Sequence, residues 1–184
     1  MKIESSAGLR LVMPAIASEP SGNSALVDYA LRGLHRCWLP EHGRWSHVYH
    51  LDGRSSPNES LPHSDVFYTL NVLLGMSRVP EIPVDVRVPE IFHHNAIQLT
   101  TLPVAKYAYG MALWAAAELK LEVPEQVASA VSSLLSEQAR WETFRAQDLG
   151  MLLTGVVAQV RAGEEKWARF AAPLYRFLST RFAS

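Results

Sequence analysis

The sequence lacks the features that mark several common classes of protein. Cys37 is its single cysteine in 184 residues, which excludes an internal disulfide framework and a cysteine-rich zinc module. Its 17 basic and 18 acidic side chains give a net charge of −1, without the cationic excess that nucleic-acid binding needs. The uncharged runs at 66–77, 107–117 and 149–160 are shorter than the roughly 20 residues that span a bilayer. We therefore expect no nucleic-acid partner and no membrane span.

Short motifs for cofactors and metals are also missing. The chain has no Gly-x-Gly-x-x-Gly, no phosphate-binding Gly-Lys-Ser/Thr and no Gly-x-Ser-x-Gly elbow. Histidines are concentrated before residue 64, in His47-x-x-His50-x-Asp52 and His63-x-Asp65. Neither spacing is a zinc signature. We therefore predict no cofactor and no metal.

Residues 1–22 are interpreted as an N-terminal leader or arm. Lys2 and Arg10 precede a short apolar run, as in a secretory signal, but Glu4 and Pro14 interrupt that pattern. We therefore predict a cytoplasmic protein whose residues 23–184 form one helical domain.

The hydrophobic residues, 48% of the chain, recur almost everywhere at helical spacing. In the first helix this stripe includes Leu26, Ala30, Leu34 and Cys37. A long loop at 39–64 follows, and Ser64 is the expected N-cap of the second helix. The predicted helices are Ser24–Cys37, Asp65–Ser77, Pro89–Leu99, Val104–Leu121, Pro124–Glu137, Asp148–Arg161 and Glu164–Phe182. The fold class is therefore all-α, built from about seven helices in antiparallel hairpins.

Amphipathic helices alternate with helices that are apolar on every side. The second, fourth and sixth helices are the apolar ones, and they begin near residues 65, 103 and 148, about 40 residues apart. A helix that is apolar all round must be covered all round, which places these three in an inner layer and the others outside. An α-solenoid is the alternative, although its concave helices should carry a polar stripe.

The alternation over residues 24–182 resembles the six-hairpin α/α-toroid group, which includes glycoside hydrolases, polysaccharide lyases and sugar epimerases. Three hairpins and one further helix amount to about half of such a ring. The resemblance implies an N-terminal portion of a longer protein with a missing C-terminal half, or a chain that completes its ring by self-association. It also implies a saccharide ligand.

Loops that lead from an outer to an inner helix share one end of such a repeat, so we expect a site there. Carboxylates on these loops beside an apolar wall suit general acid–base catalysis, aromatic rings stack on sugars, and arginines bind carboxylate or phosphate. The candidate catalytic residues are Asp65, Glu59 and His63, and the candidate substrate-binding residues are Trp45, Arg54, Tyr68, Trp141 and Arg145. The alternative is structural: Asp65 would stabilise the helix dipole, and the aromatic rings would anchor the loop.

Two functions follow from these patterns. The first is a carbohydrate-active or carbohydrate-binding protein with its site on these loops. The second is a non-catalytic helical-repeat interaction module, or a fragment of a larger protein. Convergence of Glu59, His63, Asp65, Trp141 and Arg145 in one concave pocket would favour the first function, and scatter over the surface would favour the second.

Overall fold

The computed structural model describes residues 22–79 and 87–182, with side chains from residue 25 onward. The predicted leader lies almost wholly outside this range. The helices of the described part are α1 (Gly22–Cys37), α2 (Pro62–Met76), α3 (Val88–Gln98), α4 (Tyr107–Leu119), α5 (Glu125–Ser136), α6 (Ala146–Arg161) and α7 (Ala168–Arg181). Each overlaps a predicted helix, and the prediction of a predominantly helical protein is confirmed.

The helix starts differ from the predicted ones for local reasons. α2 begins at Pro62, since proline suits the first helical position, so Ser64 lies inside the helix and does not cap it. α4 begins at Tyr107, after a turn that follows Pro103. A 3₁₀ turn at Glu165–Trp167 precedes α7, and another at Gln138–Thr143 precedes α6.

The long loop before α2 folds into two small antiparallel ribbons. β1 (Trp38–Leu39) pairs with β2 (Arg44–Trp45), and β3 (Val48–Tyr49) pairs with β4 (Asn58–Glu59). The Trp45 backbone N–H donates to the hydroxyl of Thr69 on α2 at 2.9 Å. This buried hydrogen bond holds the first ribbon against α2.

The helices α2, α4 and α6 form a row in which all three run in the same direction. The rings of Phe67 and Tyr107 lie 4.7 Å apart at one end of α2 and α4, and Arg78 pairs with Glu118 at 2.7 Å at the other end. Both pairs are 40 residues apart, so the two helices are parallel. The same holds for α4 and α6, where the Tyr107 N–H donates to Asp148, 41 residues on, at 3.1 Å. The repeat interval of about 40 residues agrees with the predicted one.

Glycine makes a close contact between α4 and α6 possible. Gly110 lies directly against the backbone carbonyl of Met151, where a Cβ would overlap it. A Cβ at Gly155 would meet the carbonyl of Gly110 and lie 2.8 Å from the Cβ of Leu113. The two backbones therefore touch where a side chain would separate them.

The outer helices α3 and α7 run antiparallel to the inner helices α4 and α6 that they contact. Trp141, just before α6, meets Phe177 near the end of α7 with ring centroids 5.5 Å apart. The Tyr109 hydroxyl on α4 donates to the Leu99 carbonyl at the end of α3 at 2.6 Å. None of the helices in the described ranges combines the length and apolar character needed to cross a membrane.

Two surfaces differ from the expectation that every apolar face is covered. One side of α4 and α6, including Trp114, Thr154 and Val157, is only partly buried by the described residues. On α1, Leu34 and Cys37 pack against the core, whereas Leu26 is 70% exposed. The described residues leave both surfaces at least partly open.

Candidate functional site

The N-terminal ends of α2, α4 and α6 lie together, at the end where the sequence places a site. A row of rings connects them: His47 stacks on Tyr68 at 4.7 Å, Tyr68 meets Phe67 at 5.5 Å, and Phe67 meets Tyr107 at 4.7 Å. The Arg145 guanidinium lies 5.7 Å from the centre of the Tyr107 ring. Tyr68 and Arg145, both predicted ligand-binding residues, are the more exposed members of this row.

Asp65, the first candidate catalytic residue, is completely buried. One carboxylate oxygen accepts the His47 backbone N–H at 3.1 Å and contacts Nδ1 of the same histidine at 2.7 Å. The other oxygen accepts the Leu61 backbone N–H at 2.7 Å. Burial lowers the pKa of the neighbouring Arg44, an effect that the Asp65 carboxylate opposes. Asp65 thus fastens the ribbon segment to the start of α2, and both of its oxygens are occupied.

The other two predicted acid–base residues, Glu59 and His63, lie on the exposed surface. Glu59 is exposed and pairs with Nε2 of His50 at 2.8 Å, and His63 is exposed in the first turn of α2. Arg54 pairs with Asp52 in the exposed part of the loop, an interaction that lowers the pKa of Asp52. The structure does not bring Glu59 and His63 onto the Asp65 carboxylate.

The two predicted stacking tryptophans belong to the core. Trp45 and Trp141 are each 1% exposed. Trp45 packs against Trp38 with ring centroids 4.7 Å apart, and Trp141 donates through its indole N–H to the Leu134 carbonyl at 3.3 Å. Their ring faces are covered by protein, so neither ring is open to stacking on a sugar.

Asp148 repeats at α6 the arrangement of Asp65 at α2. It accepts the backbone N–H groups of Tyr107 and Arg145, and it pairs with the Arg145 side chain at 3.1 Å. Burial acts to raise the pKa of Asp148, but the hydrogen bonds from Arg145 and Tyr107 outweigh it and hold the pKa below its ordinary value. Each aspartate therefore joins the start of an inner helix to the preceding segment.

A depressed pKa at Asp148 predicts a specific acid dependence of stability. The folded state protonates the Asp148 carboxylate less readily than the unfolded state does. The contribution of Asp148 to the free energy of unfolding is therefore present above about pH 4, and it is lost as the pH falls through the lowered folded pKa. We expect Asp148→Asn to lower the free energy of unfolding by about 1 kcal/mol at pH 7, a deficit that shrinks toward pH 2. Urea denaturation from pH 2 to 7 measures this, and a deficit independent of pH would contradict it.

A groove of about 600 Å³ lies on the exposed side of α4 and α6, away from all predicted site residues. Trp114, Leu153 and Val157 supply its large apolar side chains, and Ala117 and Ala158 are among the small residues between them. Apolar side chains thus lie beside charged groups in one concave surface, an arrangement that can accommodate a ligand.

The charges at the edge of this groove are unbalanced. Arg78 is neutralised by Glu118 at 2.7 Å, and Glu118 also accepts the indole N–H of Trp114 at 3.2 Å. Arg161, by contrast, lines the groove without an ion pair to any described residue. Within the part of the chain that the structure describes, the groove therefore presents one guanidinium without an ion pair beside apolar side chains.

No protein-family model, curated protein or solved structure matches this chain. Its function is therefore inferred from its own residues. Within residues 22–79 and 87–182, no three His, Cys, Asp or Glu side chains form a group that would hold a metal ion. His47 and His50, which the sequence places at a ligand-like spacing, bond instead to Asp65 and Glu59.

The sequence carries a weak signal for the groove. Ala115, Ala116 and Ala117 on α4, together with Gly155 and Ala158 on α6, mark helices that approach closely. Small residues on two neighbouring helices indicate a shallow surface between the larger side chains that flank them. Which side of the pair stays open depends on where the outer helices pack, and the periodicity does not contain that information.

Proposed function

We propose that this chain is a non-catalytic helical-repeat interaction module that binds a peptide segment of a partner in the groove along α4 and α6. The observation that carries the proposal is the open groove in which Trp114, Leu153 and Val157 lie beside Arg161. The environments of two candidate catalytic residues support it further: Asp65 is buried with both carboxylate oxygens occupied, and Glu59 pairs with His50 on the exposed loop.

The groove defines the chemistry of the partner. Trp114, Leu153 and Val157 favour apolar side chains, which gain about 25 cal/mol for each Å² removed from water. Arg161 favours a carboxylate placed beside them. We therefore expect an amphipathic segment with apolar anchors and at least one acidic residue, bound as a helix in a groove.

The α/α-toroid resemblance is retained as part of this proposal. Parallel inner helices backed by outer helices of opposite direction are what that resemblance implies, and a solenoid has the same local arrangement. In either architecture the exposed side of the inner helices is the concave one. That position supports its use as a binding surface.

A display selection tests the proposal. The peptides have about 12–16 residues, enough for three to four helical turns. We expect selected peptides to combine apolar and acidic residues. Val157→Asp should weaken their binding about 30-fold or more, and Arg161→Glu about 10-fold, as measured by fluorescence anisotropy.

Matched variants on α7 serve as controls for these substitutions. Ala172→Asp and Arg176→Glu introduce the same charges on another exposed helix and should leave binding unchanged. Circular dichroism checks that each variant is folded. Peptides that bind the groove variants as tightly as the parent, or a selection that enriches no peptide, would contradict the proposal.

A saccharide-binding function is the second candidate, and Tyr68 is the observation that favours it. The Tyr68 side chain is 45% exposed and its ring is held by parallel stacking on His47, with 2° between the ring planes. A fixed, half-exposed ring suits stacking against a sugar. Binding of acidic and neutral oligosaccharides that is lost in Tyr68→Ala and kept in Tyr175→Ala would establish this function.

A further inference from the structure

Helix α1 carries an apolar stripe that the rest of the described chain leaves open. Leu26 is 70% exposed and Tyr29 is 73% exposed, and Ala30 and Gly33 on the same side are exposed as well. A Cβ at Gly33 would have no neighbour within 4 Å. Residues at i, i+3, i+4 and i+7 lie on one face of a helix, so these four residues form the α1 stripe.

The α1 stripe is bordered by positive charge. Arg32 and Arg36 follow Tyr29 by three and seven residues, which places them along the same edge of the stripe. Both side chains are exposed, and neither makes an ion pair with a described residue. The stripe thus combines two large apolar side chains with two guanidinium groups that no described carboxylate pairs with.

A surface of the opposite charge lies on α3. A groove of about 600 Å³ runs along α3 and the segment after α4, and Phe92, Ile97 and Leu121 give it a largely apolar lining. Its charged residues are Glu90 and Glu122, both exposed and both without an ion pair among the described residues. We call this surface the α3 groove; it shares no lining residue with the groove along α4 and α6.

His94, which lines the α3 groove, adds little charge at neutral pH. His93 and His94 line it, and His94 also contacts Gln98 at 2.7 Å. Burial, and after it the charges of Arg44 and His93, lower the pKa of His94, so this ring is neutral at pH 7. The two glutamates therefore set the negative potential of the groove.

We propose that the α1 stripe of one copy of this chain docks into the α3 groove of a second copy. Leu26 and Tyr29 would enter the apolar part of the groove, while Arg32 and Arg36 meet Glu90 and Glu122. The two cations match the two carboxylates in number. In a two-fold dimer, the α1 stripe of each copy would occupy the α3 groove of the other copy. Both stripes would then be covered.

Sedimentation of the full chain over a series of micromolar concentrations tests the proposal. We expect a reversible dimer whose dissociation constant rises about 30-fold or more in Leu26→Asp. Leu51→Asp is the matched control, because Leu51 is 91% exposed in the loop and lies outside both surfaces. A parent chain that stays monomeric throughout, or a dimer indifferent to Leu26→Asp, would overturn the proposal.

Charge reversal on both surfaces identifies the pairing. Arg32→Glu with Arg36→Glu should weaken the dimer, Glu90→Arg with Glu122→Arg should do the same, and the four changes together should restore it. Arg181→Glu, an exposed charge on α7, should have no effect. Failure of the fourfold variant to regain the dimer would show that the two surfaces do not face each other, and would overturn the proposal.

Discussion

Gly110→Ala, which adds one methyl group to α4, is expected to destabilise the protein by about 3 kcal/mol or more. The new Cβ would overlap the Met151 carbonyl and the Leu152 backbone nitrogen, which lies 2.6 Å from the Cβ position. Backbone atoms of a helix cannot rotate aside as a side chain does, so α4 and α6 would have to separate. Gly155→Ala should act in the same direction.

Gly150→Ala provides the matched control on α6. A Cβ at Gly150 has no neighbour within 4 Å, so alanine there adds helix propensity without a clash. We expect this variant to be more stable than the parent by about 0.5–1 kcal/mol. Urea denaturation of both variants measures the difference, and equal effects of Gly110→Ala and Gly150→Ala would show that α4 and α6 do not touch through their backbones.

Asp65→Ala is expected to lower the free energy of unfolding by about 3–5 kcal/mol. The substitution leaves two backbone N–H groups, of His47 and Leu61, without the acceptor that the fully buried Asp65 carboxylate supplies. It also removes the carboxylate that faces the buried Arg44. Asp65→Asn keeps one side-chain carbonyl as an acceptor, so we expect it to lower the free energy of unfolding by less than Asp65→Ala does.

Two measurements separate this role from a general loss of stability. Hydrogen exchange in Asp65→Ala should accelerate at residues 44–61 before it does in α4 and α6, because the ribbons lose their attachment to α2. Asp52→Ala, which removes an exposed carboxylate paired with Arg54, should leave the unfolding midpoint unchanged. Equal behaviour of the Asp65 and Asp52 variants would contradict the structural role of Asp65.

The helices could be predicted from the sequence because their apolar residues recur at the helical period. The interval of about 40 residues between the inner helices was also accessible, since it follows from the starts of three apolar segments. The two ribbons could not be predicted, because two-residue strands are too short to show an alternating pattern. They pair Trp38–Leu39 with Arg44–Trp45 and Val48–Tyr49 with Asn58–Glu59.

The candidate site was harder to predict for a different reason. Trp45 and Trp141 are loop aromatics in the sequence, and nothing in their local pattern separates a ring that packs inside from one that binds a ligand. The histidine partner of Asp65 is His47, 18 residues earlier, and not the neighbouring His63, which is exposed. Long-range pairing of this kind depends on how the ribbons fold back, which periodicity does not encode.

The central claim, that the groove along α4 and α6 binds a partner segment, is tested most directly by the indole N–H signals of the five tryptophans. Trp114 lines the groove, whereas Trp38, Trp45, Trp141 and Trp167 are buried in the core. On titration with a selected peptide, we predict that the Trp114 signal, assigned with Trp114→Phe, shifts while the other four stay in place. A bound peptide that leaves Trp114 unshifted and perturbs Tyr68 and His47 instead would contradict the account.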